Sequence, residues 1–429
     1  MKKTILTVAI TAAISSPAFA DKNVIKGPFS FDPQSASAIT GSEPACAPFA
    51  LPEGFSQTVI SDETGACTPL VEHDAVPGGN DWNDMNTVNE TGAHVGRYLY
   101  RTQETGNGMG AITAIDLETG EAMTYFADDF GIDPGFSRMD GIEWTPWGTI
   151  LAAEENGAGG RLFECQVDGL DLHCFDRPAV GRMSHEGIAA AKDGNIYVGD
   201  ELNGGSIYKF VPDHYGDLSS GTLYALNIVL PGVIDGTGTG EWLALIPGQN
   251  NVSTDPAVNA RAAADEAGAT DYLRPEDAEI VGPNLYFATT TDKRVLRIPM
   301  NTNTPEVTEF VGVNIGNIND ESVVSSYGLR SPDNLASDIN GNLYIVEDNS
   351  GKSDIWAAPT TDKNQDGVAD QVVLFGTLTT PGAEGTGIYF PRTMPKTMFV
   401  NVQHANDGND MTIAISKDRN GHNGHHDED

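Results

Sequence analysis

The stretch RMSHEGIAAAKDGNIYVGDELNGGSIYKF, residues 182–210, decides the fold. Its segment Gly187-Ile188-Ala189-Ala190-Ala191 is small and apolar, and Lys192-Asp193-Gly194-Asn195 carries the Asp-Gly signal of a tight hairpin, a turn whose geometry needs positive φ. Ile196-Tyr197-Val198-Gly199 then returns antiparallel. A second glycine-rich turn, Asn203-Gly204-Gly205, leads into Ser206-Ile207-Tyr208-Lys209-Phe210, which alternates as a half-buried strand does. In such a hairpin the start of the first strand and the end of the second share one sheet edge. His185-Glu186 and Asp200-Glu201 therefore converge, and three carboxylates beside an imidazole form a candidate site for a hard cation.

The same unit recurs along the chain. A short strand follows a turn residue at Gly96-Arg97-Tyr98-Leu99-Tyr100, Gly148-Thr149-Ile150-Leu151-Ala152, Gly194-Asn195-Ile196-Tyr197-Val198, Pro283-Asn284-Leu285-Tyr286-Phe287, Gly341-Asn342-Leu343-Tyr344-Ile345 and Lys396-Thr397-Met398-Phe399-Val400. Six copies of one supersecondary unit predict an all-β chain folded as a six-bladed β-propeller over residues 55–417. A long insertion, about 212–271, separates the third and fourth copies and contains a helical pattern over 256–267. Residues 55–61 are placed to supply the last outer strand and close the ring.

An acid recurs just before each inner strand: Asp140, Glu186, Glu276, Asp333 and Glu384. The second strands end in Glu104, Glu154-Glu155, Asp200-Glu201, Glu347-Asp348 and Gln403-His404. Singly, each acid is as well explained as the cap of its own turn. As a ring around one axis they repel one another unless cations or protons neutralise them.

Outside the repeats, residues 1–20 have a basic start, a short apolar run and a small-x-small ending, the pattern of a cleaved Sec-type signal peptide. That places the mature chain in the periplasm or outside the cell. No stretch approaches the ~20 consecutive apolar residues of a spanning helix, so no membrane span is expected. Residues 21–54 read as an N-terminal extension and 418–429 as a disordered His/Asp-rich tail. The net charge of −37 excludes nucleic acid as a partner and fits bound divalent cations. Four cysteines in an exported chain imply disulfides. Cys165 and Cys174 flank Asp168-Gly169 and can staple a hairpin, which leaves Cys46 to pair with Cys67. Asp362, Asn364, Asp366 and Asp370 alternate around Gly367 as a loop-only calcium site requires.

At these residues the sequence resembles the PhoX-type alkaline phosphatases of bacteria. The resemblance is carried by Thr145-Pro146-Trp147-Gly148-Thr149, Ala153-Glu154-Glu155-Asn156, His185-Glu186-Gly187, Gly221-Thr222-Leu223-Tyr224, Gly240-Glu241-Trp242-Leu243, Arg274-Pro275-Glu276, Pro332-Asp333-Asn334-Leu335 and Asn401-Val402-Gln403-His404. It implies a propeller that holds several calcium ions with iron and hydrolyses phosphate monoesters. Glu186 and Glu276 match cluster ligands and act in catalysis, Glu155 and Asp333 look like further ligands, and Arg274 matches the phosphate-clamping arginine. Glu201 and Glu384 join the expected ligand ring through the repeat. Asp140 stands where the characterised type has an iron-ligating cysteine, which shifts the expectation from iron toward calcium or another hard divalent metal. A plain export signal also replaces the family's twin-arginine one. The reaction expected is metal-dependent hydrolysis of a small phosphate ester by a monomer. Two alternatives remain: a calcium-dependent propeller lactonase or esterase, which Pro332-Asp333-Asn334-Leu335 also resembles, and a non-catalytic secreted calcium-binding propeller.

Overall fold

The computed structural model describes residues 25–68, 81–106, 108–232, 234–312, 329–350 and 352–418. The expected signal peptide, and the tail from residue 419 onward, lie outside them. Inner strands Asn83–Val88, Met139–Trp144, His185–Ala190, Pro275–Val281, Pro332–Ser337 and Glu384–Tyr389 each pair antiparallel with a second strand, and further strands follow outward. The second strands Ile150–Glu154, Ile196–Asp200, Asn284–Thr289 and Asn342–Glu347 are buried along their whole length because a neighbouring blade covers each face. Six apolar clusters, one at each blade-to-blade junction, make up the core. The sixth, Val88, Leu99 and Ile115 against Phe399 and Ala414, joins the last blade to the first. The architecture is a six-bladed β-propeller.

Ring closure uses the N-terminal segment. Phe55–Asp62 pairs with Met411–Lys417 as the outer strand of the sixth blade, and Phe49–Ala50 adds an edge to the fifth. Upstream, Ile25, Phe29 and Phe31 are buried between those two blades, with the Phe29 ring edge-on to Phe55 and Phe390 at 4.9 Å. The two disulfides are Cys46–Cys67 and Cys165–Cys174. The second links directly opposed residues of the outer hairpin of blade two.

The insertion between blades three and four is present, but its first third is blade. Ile207–His214 and Asp217–Pro231 are the third and fourth strands of blade three, because the alternating Leu223 and Ala225, with Leu226 beside them, let that edge bury apolar side chains. Gly238–Ala244 continues the sheet and, through Gly238 and Thr239, also pairs with Glu306–Gly312 of blade four. The helix Pro256–Ala267 is N-capped by Asp255, which accepts the Ala257 N–H at 3.0 Å. Asn203–Gly205, read as a turn, also pairs with Tyr272–Leu273.

One irregularity repeats. In blades one to five the inner strand bulges just after its first pair, so that Asp84-Met85, Asp140-Gly141, Glu186-Gly187, Glu276-Asp277 and Asp333-Asn334 each face a single residue of the second strand. Neighbouring bulges pack so closely that only glycine fits at two of them. A methyl group on Gly141 would overlap the Glu186 carbonyl, and one on Gly187 would overlap Asp277, including its Cα.

Gly187→Ala is therefore expected to lower stability by about 1–3 kcal/mol, the usual range for overpacking against backbone. Gly159→Ala, where a methyl group meets nothing within 4 Å, should stay within about 0.5 kcal/mol of wild type. Urea unfolding of both variants checks the contrast.

Candidate metal centre

The bulges set the chemistry. An extra residue in one strand breaks the alternation of the pleat and re-aims a side chain. Here it turns Asp84, Asp140, Glu186, Glu276 and Asp333 toward one end of the channel. A second tier is held by a repeated backbone hydrogen bond. The N–H groups of Glu104, Glu155, Glu201, Thr290 and Asp348, just past the second strands, donate to the carbonyls of Trp82, Arg138, Ser184, Arg274 and Ser331 at 2.9, 2.9, 2.8, 3.1 and 2.9 Å. Four of those five donors are acids. Blade six departs from the pattern: its bulge lies further along, at Gly387-Ile388, while Glu384 pairs with Gln403.

Each double acid at a second-strand end splits into two roles, because successive side chains leave a strand on opposite sides. Glu155, Glu201 and Asp348 face the channel, whereas Glu154, Asp200 and Glu347 are buried and brace the neighbouring loops. Glu154 accepts from the Ser137 N–H at 2.9 Å and from Arg161 Nε at 2.7 Å. Asp200 accepts from the Ser184 N–H at 3.1 Å and from Arg261 Nε at 2.6 Å, which ties the inserted helix to the ring. Glu347 accepts from the Arg330 N–H at 2.6 Å.

The resulting cavity has a volume of about 260 Å³ and is lined by Asp84, Glu104, Asp140, Glu155, Glu186, Glu201, Glu276, Asp333, Asp348 and Glu384. Arg138, Arg274 and His404 are its basic residues, with Thr386 and Gln403 completing the wall. Two triads, Asp84/Glu104/Asp140 and Glu186/Glu276/Asp333, bring carboxylate oxygens within 4.8 Å of one another. Burial pushes Asp84 up to about 7, against hydrogen bonds from Gln403 and Asp140. Burial, then the charges of Asp84 and Glu155, pushes Glu104 up to about 9. Burial with Asp348 alongside takes Glu384 to about 10, and burial takes Glu201 to about 7 despite Arg274. Asp140, Glu186, Glu276 and Asp333 lie well above the usual carboxylate range for the same first reason. Asp140 Oδ1 is buried with no hydrogen-bond donor. Closely spaced oxygens without enough donors suit hard divalent cations, and the donor set near the ring contains no thiolate, since all four cysteines are in disulfides.

Of the ring residues expected from the sequence, Asp140, Glu155, Glu186, Glu201, Glu276, Asp333, Glu384 and Arg274 line this cavity, whereas Glu154, Asp200 and Glu347 do not, and His185, expected beside them, is buried with Nε2 at 3.1 Å from the Gly181 carbonyl. Two further charged lining residues, Asp84 and Arg138, are not evident from the sequence pattern. Asp84 escaped because twelve residues separate it from Gly96, whereas eight separate Asp140, Glu186 and Asp333 from the glycines of their hairpins. Arg138 escaped although it stands two residues before Asp140, as Arg274 stands two before Glu276. Arg274 is ion-paired to Glu201, approaches Glu276 at 3.1 Å and Asp348 at 3.6 Å.

The 362–370 loop lies apart from the ring, between strands of blade five. Asp362 accepts the N–H groups of Gln365 and Gly367 at 2.6 and 2.7 Å, and Asp366 that of Val368 at 2.9 Å. Among the described residues, Asp362, Asp366 and Asp370 form no triad of the kind found in the ring. A larger cavity, about 1030 Å³, opens at the other end of the inner strands, with Glu143, Trp144, Glu279, Tyr389 and Arg392 in its wall. It lacks such a triad too, so the smaller cavity is the candidate centre.

A family model described as alkaline phosphatase PhoX matches residues 160–406, more than half of the 429-residue chain. No curated protein matches the chain. Among solved structures, regucalcin from Agrobacterium tumefaciens, a calcium-binding protein, is 13% identical over 85% of this chain and 96% of its own, with a TM-score of 0.43. Virginiamycin B lyase from Staphylococcus aureus is 14% identical over 84% and 99%, with a TM-score of 0.44. A PQQ-bound aldose sugar dehydrogenase from Streptomyces coelicolor is 14% identical over 86% and 99%, with a TM-score of 0.43.

The raised carboxyls fix the sign of a pH effect. An acid whose folded pKa exceeds its unfolded value keeps its proton in the folded state while the unfolded chain loses it, so stability falls as pH rises between the two values. Without divalent cations the melting temperature should therefore decline from about pH 5 to pH 9, the span over which Asp84, Glu201 and Glu104 would be forced to ionise. Millimolar calcium should abolish that decline, since cations take the place of the protons. Melting curves across that range, in EGTA and in calcium, make the comparison.

Proposed function

The chain belongs to the PhoX alkaline phosphatase family, and from that membership and the chemistry of the acid ring we propose that it is an exported, metal-dependent phosphatase of small phosphate monoesters. The observation that carries the reading is the mixture of charges in one cavity: a carboxylate ring able to hold cations, with Arg274 at its rim. A lactone or ester site has little use for a guanidinium beside its metal, whereas a phosphoryl group is matched by its bidentate fork.

The carboxylates of the two triads would hold the cations, with calcium preferred over iron because an all-oxygen donor set replaces the family's thiolate at Asp140. Bound divalent ions would supply Lewis acidity at the phosphoryl oxygens and a nucleophile for in-line displacement. Glu186 and Glu276, on adjacent blades, orient the reacting centre between them. Arg274 binds the phosphoryl group and offsets charge that develops on it in the transition state. Burial beneath the rim limits water around the site and strengthens each of these interactions. The disulfides fit an oxidising compartment, so the periplasm or the cell exterior is the proposed location. The 362–370 loop is proposed as a separate structural calcium site.

With calcium supplied, the wild type should hydrolyse a generic aryl phosphate. Arg274→Lys should reduce turnover about 100- to 1000-fold, the usual loss for one preorganised donor, while leaving bound calcium unchanged. Elemental analysis beside steady-state kinetics reads both quantities. No turnover by folded wild type with calcium, iron, manganese or magnesium would overturn the phosphatase reading. Asp140→Cys should raise iron uptake relative to calcium by restoring a soft ligand, checked by competitive loading.

A further inference from the structure

We propose that Arg138 and Arg274 grip the phosphoryl group from two sides, making Arg138 a second substrate-binding residue and selecting dianionic monoesters over monoanionic diesters. This rests on the phosphatase reading above. Arg138 and Arg274 occupy equivalent positions on blades two and four, each two residues before its bulge acid. Both take left-handed φ, 51° and 53°, uncommon for residues other than glycine. Trp82 shares that conformation at the same place in blade one, with φ 51°. The strained entry recurs at this place in blades one, two and four, but not at Ser184 or Ser331 of blades three and five, and in blades two and four it presents an arginine to the cavity.

The two guanidiniums are joined by an arc of carboxylates across blade three. Arg138 Nη1 donates to Glu155 Oε2 at 2.9 Å and lies 3.7 Å from Glu104. Glu155 lies against Glu201, which is ion-paired to Arg274. Their side chains remain 49% and 35% exposed, unlike Arg294 at 8%. Arg138 and Arg274 can therefore exchange a carboxylate partner for an arriving anion when cations claim the ring acids. A monoester dianion presents three terminal oxygens, which can serve two guanidinium forks by sharing one. A diester has only two and leaves one fork half satisfied.

The competing explanation makes Arg138 a counter-charge for Glu155 and Glu104. Lysine preserves charge and loses the fork, so Arg138→Lys separates the two. The experiment uses calcium-loaded full-length protein and inorganic phosphate as the probe, titrated calorimetrically, with calcium content and melting temperature measured in parallel. The expected result is phosphate binding weakened 10- to 100-fold in Arg138→Lys, with calcium content and melting temperature unchanged. The preference for an aryl phosphate over a bis-aryl phosphate should shrink by a similar factor. Unchanged phosphate affinity in Arg138→Lys, with calcium lost in Arg138→Gln, would overturn the clamp while leaving a phosphatase intact if wild type still turns over aryl phosphate. Phosphate bound tightly by wild type and weakly by Arg138→Lys, without turnover, would support the clamp and sink the phosphatase instead.

Discussion

Mutual repulsion among carboxylates removed from water is the constraint on which this structure turns. Ten of them face one cavity of about 260 Å³ against two arginines and a histidine. A like-charged pair about 5 Å apart repels by roughly 3 kcal/mol at an effective dielectric near 20. Several such pairs together rival the whole stability of an ordinary domain, about 5–15 kcal/mol. The fold cannot carry them all ionised, so the ring must be counted as protein plus protons or protein plus cations. In the neutral and alkaline range cations are the better solution, because they neutralise the carboxylates without requiring them to hold protons against the solvent pH.

The scaffold is arranged to hold those groups despite their repulsion. In blades one to five the entry to each bulge is held by a backbone hydrogen bond from the end of the second strand, and the buried acids Glu154, Asp200 and Glu347 brace the loops from behind. Asp200 couples the inserted helix to the ring through Arg261, so the one α-helix among the described residues supports the site although it contributes no cavity-lining residue. The ring is also lopsided. One acid triad spans blades one and two, the other blades three to five, and the arginines flank blade three. Negative charge to collect cations and positive charge to receive an anion are thereby set side by side.

Much of this was legible in the sequence, for reasons that can be stated. The second strands repeat six times, four of them opened by a glycine, and an inner-strand acid eight residues before the hairpin glycine exposes Asp140, Glu186 and Asp333. The short loops between Cys46 and Cys67 and between Cys165 and Cys174 left one plausible pairing. Asp84 stayed hidden because its hairpin is longer. Arg138 stayed hidden because its significance lies in equivalence to Arg274, which appears only when the two bulges are superposed. Nor could the sequence divide Glu154 from Glu155, or Asp200 from Glu201: which acid of a pair meets the channel depends on strand phase, and one residue reverses it. The outer strand of blade three was absorbed into the insertion because its apolar alternation sits beyond an exposed turn at His214 to Asp217.

The most direct test of the account is a count of cations per folded chain by native mass spectrometry in calcium, for wild type, Asp140→Asn and Glu186→Gln. Each substitution removes a charged ligand from one triad only. The account predicts at least two bound divalent cations in wild type and the loss of one in each variant, with Asp366→Asn leaving the ring's share intact. Folded wild type that binds none, or a count identical in wild type and both ring variants, would contradict it.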